Sequence, residues 1–183
     1  MPSELDFPHS VPTLSTRALH LRGLSETDIP GWFARASDLE SATFAGDAVP
    51  TSITEGHAWL ERHHARFREQ TALRWAIVPI GAPASIGTIG LAFPAPGAAT
   101  AELGFVLARA YWNQGLGTAA ARLVTRYAFE TLGLADIRAE TLRRNHASRR
   151  LLEKLGFRHH HAYPATPPAE PEPYDTYILA NPA

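Results

Sequence analysis

The 183 residues carry 17 Lys and Arg against 18 Asp and Glu, a formal net charge of -1, and 45% of them are hydrophobic. That length favours one domain around one core, that composition excludes a disordered chain, and that charge balance supplies no positive field to hold a polyanion, so nucleic acid is not an expected partner. The absence of cysteine excludes disulfide scaffolds, thiolate metal sites and acyl-cysteine chemistry, and fits a cytoplasmic location.

Met1 to Ser15 holds three prolines, Glu4 and Asp6 and no apolar run, so it does not read as a secretory signal and is expected to be a loose N-terminal arm of a single domain spanning 1–183. Leu19, Leu21 and Leu24 alternate as in a strand, and Ser25, Glu26 and Asp28 suit the N-terminus of a helix running to Ser37. Thr54 to Arg68 places Ala58, Trp59, Leu60, His63 and Phe67 at helical intervals, with Thr54 as N-cap. Arg74 to Pro79 and Ser85 to Phe93 read as buried strands paired in a hairpin. No charge occurs from Trp75 to Ala101, but Pro79, Gly81, Pro83, Gly87, Gly90 and Pro94 break that stretch into strands and turns, so no membrane span is expected.

Ala101 to Ala108 is the next strand, and Leu116, Ala120, Leu123 and Tyr127 mark one face of a long helix that Gly133 ends. Asp136 to Thr141 follows as a strand, then a helix from Asn145 to Leu155 with Asn145 as N-cap and Gly156 past its end. Phe157 to Tyr163 and Tyr174 to Leu179 close the chain as strands around the proline-rich loop Pro164 to Pro173. The crossover in the second half requires parallel strands and the hairpins antiparallel ones, so the fold class is α/β (α+β) with a mixed, mostly antiparallel sheet flanked by helices.

Gly115 and Gly117, between a strand and a helix, let backbone approach a ligand while the helix aims unpaired N–H groups at it. No Walker lysine follows, and the spacing alone leaves a plain structural turn open. His159, His160 and His161 resemble a metal cluster only superficially: on a regular strand His159 and His161 share a side while His160 faces away, and no carboxylate stands at ligand spacing. No metal is expected. Arg143, Arg144, Arg149 and Arg150 form a local basic cluster.

Six segments occur in a telling order: Thr16-Arg17-Ala18-Leu19-His20-Leu21-Arg22, Ile86-Gly87-Thr88-Ile89-Gly90-Leu91, Glu102-Leu103-Gly104-Phe105, Tyr111 to Ala120, Asn145-His146-Ala147-Ser148, and Leu151 to Phe157. From Pro12 to Leu179 this order resembles the GNAT acetyltransferase superfamily, and particularly its RimJ/RimL-type branch. The resemblance implies acetyl-coenzyme A as cosubstrate, held between two splayed parallel central strands. Its pyrophosphate would lie on the loop Asn113, Gln114, Gly115, Leu116, Gly117 and Thr118, and backbone groups of Phe105, Val106 and Leu107 would bind the pantetheine, an amide near Val106 polarising the thioester carbonyl. The basic cluster would either attract the ribose phosphate or remain, as its position at helix ends favours, a set of solvated charges.

The resemblance also implies roles for side chains. Glu102 takes the position of the amine's general base, with a water relay or a merely exposed strand carboxylate as alternatives. The tyrosine that many members use as general acid is replaced by Leu152, so Ser148 is the candidate proton donor to the leaving thiolate. Asn145 caps its helix and is also placed to touch pantetheine. The acceptor is a peptide N-terminus or a small-molecule amine. Trp59, His63 and His64, with the loop Pro164 to Pro173, are expected to border it; they offer no fixed negative charge, which ranks a peptide N-terminus or an uncharged-bodied amine above a polyamine. A coenzyme A-binding module without turnover is the rival from another class. No sequence feature defines a symmetric interface, so no oligomeric state is expected.

Overall fold

The computed structural model describes residues 6–165 and 172–182. Its strands are β1 Leu14–Ser15, β2 Leu19–Gly23, β3 Ala72–Pro79, β4 Gly87–Ala92, β5 Thr100–Leu107, β6 Asp136–Leu142, β7 Arg158–Tyr163 and β8 Tyr174–Ala180. They form a sheet in the order β1-β2-β3-β4-β5-β6-β8-β7, with every neighbouring pair antiparallel except β5 and β6. The helices are α1 Ile29–Ala36, α2 Leu39–Ala45, α3 Glu55–Arg68, α4 Leu116–Glu130 and α5 His146–Lys154. The mixed, mostly antiparallel architecture is therefore the one the strand and helix pattern predicts.

Strand alternation gives the sheet two apolar faces. Leu73, Trp75, Ile77, Ile89 and Leu91 are at most 1% exposed and pack with Ala120, Ala121, Val124 and Ala128 of α4. The small alanines bring that helix close to the strands. On the opposite face Ala76 and Val78 pack with Leu24, Ile29, Trp59 and Leu60 under α1 and α3, and Trp32 stacks on Trp59 with centroids 5.5 Å apart.

The helix expected from Ser25 to Ser37 divides in two. A single 3-10 turn, Glu26–Asp28, precedes α1, because Asp28 is turned inward to meet Arg22 of β2 through paired bonds of 2.8 and 2.9 Å. Burial works to raise the Asp28 carboxyl, but hydrogen bonds from Arg22, Ser85 and the Ser25 amide outweigh it and hold it below the usual carboxylate range.

Thr54 does not cap α3 with its side chain. Glu55 reaches back instead, and its Oε1 accepts from the amides of Thr51 and Ser52 and the Thr51 hydroxyl. Helix α2 was not anticipated at all, although its signals are present: Asp38 accepts from the Ser41 amide at 2.8 Å, and Gly46 ends it with φ +67°.

The arm expected to be loose is tied down over its described part. Phe7 packs edge-on and tilted against Phe93 and Phe67, Trp75 donates its indole N–H to the Pro12 carbonyl at 2.7 Å, and β1 pairs with β2. Residues 1–5 lie outside the described residues, as do 166–171, most of the expected proline-rich loop.

Candidate active site

The site begins where a register ends. Strands β5 and β6 pair only from Thr100↔Asp136 to Glu102↔Arg138. Beyond that, β5 stays with β4 as far as Leu107 and β6 stays with β8 as far as Leu142, so the two part and leave backbone edges facing each other across a cleft of about 650 Å³. An unpaired strand edge must be satisfied by something, and the cleft has room for an extended ligand lying along it.

At one end the cleft meets the N-terminus of α4. Asn113 and Gly115 both have positive φ, 59° and 78°, and this turn presents the first amides of α4 to the cleft, where Gly115, Gly117 and Thr118 line it. The first bond within the helix is Ala119 N–H to Gly115 C=O, so the amides before it are free to bind an anion. The two glycines serve different ends. Gly115 is required by its backbone angle, with nothing within 4 Å of where a Cβ would stand, whereas a Cβ on Gly117 would come to 3.1 Å from Leu151 and 3.5 Å from Leu107. Gly117 thus permits close packing of α4 on α5 and β5. Trp112 Nε1 donates to Leu107 C=O and Gln114 Nε2 to Ala110 C=O, which pins the turn from both sides.

Glu102 lines the cleft and is exposed. By register it shares a face with Ala92 and, two residues on, with Gly104, Gly90 and Arg74, the face covered by α1 and α3. Ser148 enters from α5, which packs on α4 and β6 from the other face. Phe105, Val106, Leu107, Asn113, Asn145 and Ser148 all line the same cleft. The Asn145 side-chain oxygen accepts from the Ser148 amide at 3.1 Å, so its capping role is realised. Leu152 is fully buried and has no proton to give.

Helix α2 covers the mouth. The Phe44 ring centroid lies 5.9 Å from that of Trp112 and 4.9 Å from the Arg144 guanidinium above it, so one side chain meets both arms of the split. Arg109 fastens the same helix by ion pairs to Asp38, at 3.5 Å, and Glu40. Of the basic cluster, Arg143 and Arg149 are drawn to Asp175 and Arg144 to Glu172, while Arg150 lines the cleft together with Lys154.

The segment expected to meet an acceptor is partly spent elsewhere. Trp59 is 6% exposed in the stack with Trp32, the His64 ring nitrogen lies 3.2 Å from the Leu24 carbonyl, and His63 packs edge-on against Trp59. None of these three lines the main cleft. What the sequence reading missed is Arg74, which does: its Nη1 donates to the Gly104 carbonyl at 2.9 Å. An arginine in the middle of an otherwise apolar strand is the signal that would have found it.

The three histidines of β7 also differ from expectation. A bulge between His159 and His161 pairs them with Tyr177 and Thr176, adjacent residues that point to opposite faces, so the extra residue puts His159 and His161 on opposite sides. Among the described residues no group of three His, Cys, Asp or Glu is arranged to hold a metal ion, and no helix is long and apolar enough to cross a membrane.

Residues 18–158 match the family model of the acetyltransferase (GNAT) domain. The chain belongs to the GNAT acetyltransferases. A relative, the uncharacterised N-acetyltransferase YoaA of Bacillus subtilis (strain 168), is 30% identical over 169 residues, covering 92% of this chain and 96% of its own. Among solved structures, a GNAT-family acetyltransferase from Bacillus anthracis superposes with a TM-score of 0.81 at 20% identity, over 94% of this chain and all of the other. Mycobacterium smegmatis RimJ in complex with CoA-disulfide does so with a TM-score of 0.79 at 20% identity, over 95% and 88%. These two share the fold. Family membership makes this GNAT chain an acetyl-CoA-dependent N-acetyltransferase.

Proposed function

We propose that the protein transfers an acetyl group from acetyl-CoA directly to a primary amine within a ternary complex, in the manner of the RimJ/RimL-type branch. The observation that carries this reading is the loss of β5–β6 pairing beyond Glu102↔Arg138, which leaves a strand edge and the N-terminus of α4 on one cleft. The residues present fit the cosubstrate. Amides of Gln114, Gly115, Leu116, Gly117 and Thr118 hold the pyrophosphate, backbone groups of Phe105, Val106 and Leu107 take the pantetheine as an added strand, and Arg150 and Lys154 attract phosphate at the rim. The cosubstrate supplies an activated acetyl thioester.

An aliphatic amine is mostly protonated at neutral pH, so a base must free its lone pair. Glu102 accepts that proton, directly or through water. As the nitrogen bonds to the acetyl carbon and the carbon–sulfur bond breaks, the backbone amide near Val106 holds the carbonyl oxygen, and the second proton, lost by the nitrogen, is relayed through the Ser148 hydroxyl to the sulfur, so that the amide and the free thiol leave and Ser148 keeps its own proton. Glu102 and Ser148 reach the split from opposite faces, which suits removal of a proton at one end of the reaction and delivery at the other.

The resemblance to the RimJ/RimL-type branch supports a peptide α-amine as acceptor; a small amine is favoured by the unpartnered guanidinium nitrogens of Arg74 and Arg35. A panel of peptides and small amines, incubated with acetyl-CoA and followed by release of free thiol, tests the reading. Turnover with some amine is expected. Tight CoA binding with no turnover across the panel would replace it with a non-catalytic coenzyme A-binding module.

A further inference from the structure

Arg74 faces an unusual floor. Directly across from it on β4 is Gly90, and beyond that on β5 is Gly104, so its side chain lies flat over two residues without side chains. The fit is close, because a Cβ on Gly90 would stand 2.7 Å from Arg74 Cδ. The chain thus keeps a clear track from β3 to the splitting strand, and a guanidinium is laid along it to the Gly104 carbonyl.

That one bond leaves the guanidinium under-used. Arg74 Nε is buried and has no hydrogen-bond partner among the described residues. Arg35 of α1 is 4% exposed and shares one nitrogen with Asp47 at 3.2 Å, while its Nη1 is likewise buried and unpartnered. Ser41 lines the same cleft as Arg74, with its side chain beside the Asp38 carboxylate. Buried polar groups are rarely left unpaired, and buried charges more rarely still. Burial lowers the Arg74 pKa to about 10; of the charges around it Asp47 opposes that shift, and Arg35 and Arg66 add to it.

Resting on the acetyltransferase reading above, we propose that Arg74, supported by Arg35, binds a carboxylate of the acceptor, so that the preferred acceptor is an amine with a carboxylate within a few bonds of the nitrogen, as in an α-amino acid. The spacing agrees. Glu102 and Gly104 lie two residues apart on one face of β5, about 7 Å, and the guanidinium is bonded at Gly104. An amine held at Glu102 therefore has its carboxylate within reach of Arg74. A planar guanidinium with free N–H groups is the side chain best shaped for that anion. A polyamine would meet like charge there, and an uncharged-bodied amine would leave the donors unpaired.

The test uses the full chain saturated with CoA. Binding of L-serine and L-serinamide is compared by calorimetry, together with two C-terminally amidated tripeptides that begin with Asp or with Asn. In each pair the member with the carboxylate is expected to bind about tenfold or more tightly, and to show a correspondingly lower KM when thiol release is followed with acetyl-CoA. A preference within the serine pair assigns the anion to a free amino acid, and one confined to the peptide pair assigns it to an acidic first residue; either supports the carboxylate site. Arg74→Gln should collapse the preference and Arg74→Lys should restore part of it. If Arg74→Gln fails to fold, the wild-type pairs still decide. Equal binding of acid and amide in both pairs, or no binding of any probe, overturns the proposal. Binding of the acid without thiol release keeps the carboxylate site and overturns the acetyl-transfer reading instead.

Discussion

Glu102 is the last residue of β5 in register with β6, which puts a carboxylate at the point where the sheet opens. Replacing it with the isosteric Gln removes only its ability to take a proton. In steady-state assays Glu102→Gln should lower kcat by about 10²–10⁴-fold and flatten the acidic limb of the pH–rate profile, with CoA affinity kept. An acidic limb that survives in the variant assigns the proton to water. His63 gives a prediction of another kind, about stability. Burial, with Arg74, Arg62, Arg66 and His64 around it, pushes its imidazole down to about 3 from an ordinary 6.5. Between those values the unfolded chain binds a proton that the folded one refuses, so the stability it contributes is present above pH 6.5 and lost as pH falls toward 3, at up to roughly 1.4 kcal/mol per pH unit. Urea unfolding at several pH values should show this slope in the wild type and lose that part of it in His63→Gln.

Helix α5 depends on one cap. Asn145 accepts from the Ser148 amide, and Leu152 anchors the helix in the core at 0% exposed. Loss of an N-cap costs about 1 kcal/mol. Asn145→Ala should therefore lower stability by about that amount in denaturant titration, and Asn145→Ser, which caps equally well, should restore it. If the asparagine also donates to pantetheine through its amide nitrogen, CoA affinity measured by calorimetry stays low in both variants. Recovery of affinity with Asn145→Ser would reduce the residue to its cap. Helix α2 serves the site in a different way, since Phe44 touches groups on both arms of the cleft and Arg109 fastens it by ion pairs.

Across the whole molecule, the split sheet leaves a cleft between two halves: β1 to β5 with α1 to α3 on one side, and β6 to β8 with α5 on the other. A ligand that lies along β5 and touches α5 binds only the folded chain and joins the halves. Such a ligand at a hundred times its Kd adds about 2.7 kcal/mol. For a chain of this size that corresponds to a rise in Tm of roughly 5–10 °C, which thermal denaturation with and without CoA will measure. No rise at saturating CoA would remove the cosubstrate from the cleft.

The local patterns in this chain suffice for most of its elements because each carries its own signal: continuous apolar runs for β3 and β4, an alternating one for β5, a helical stripe for α4, and Asn145 and Gly156 bounding α5. The order of those elements and of a few short motifs also sufficed for the family and placed Glu102, Ser148 and the 113–118 turn, all of which line one cleft apart from Gln114 and Leu116. What a linear reading lacks is distance. The tying of Phe7 to Phe67 and Phe93, the bulge that separates His159 from His161, the loss of Trp59 to the core and the packing reason for Gly117 all rest on contacts between remote segments. The same holds for Arg74, which looks like one charge in an apolar strand until Gly90 and Gly104 are seen beside it in register. Sequence sets local conformation through steric and hydrogen-bonding preferences that act over a few residues, whereas burial and charge balance are sums over neighbours, and only the tertiary structure decides who those neighbours are.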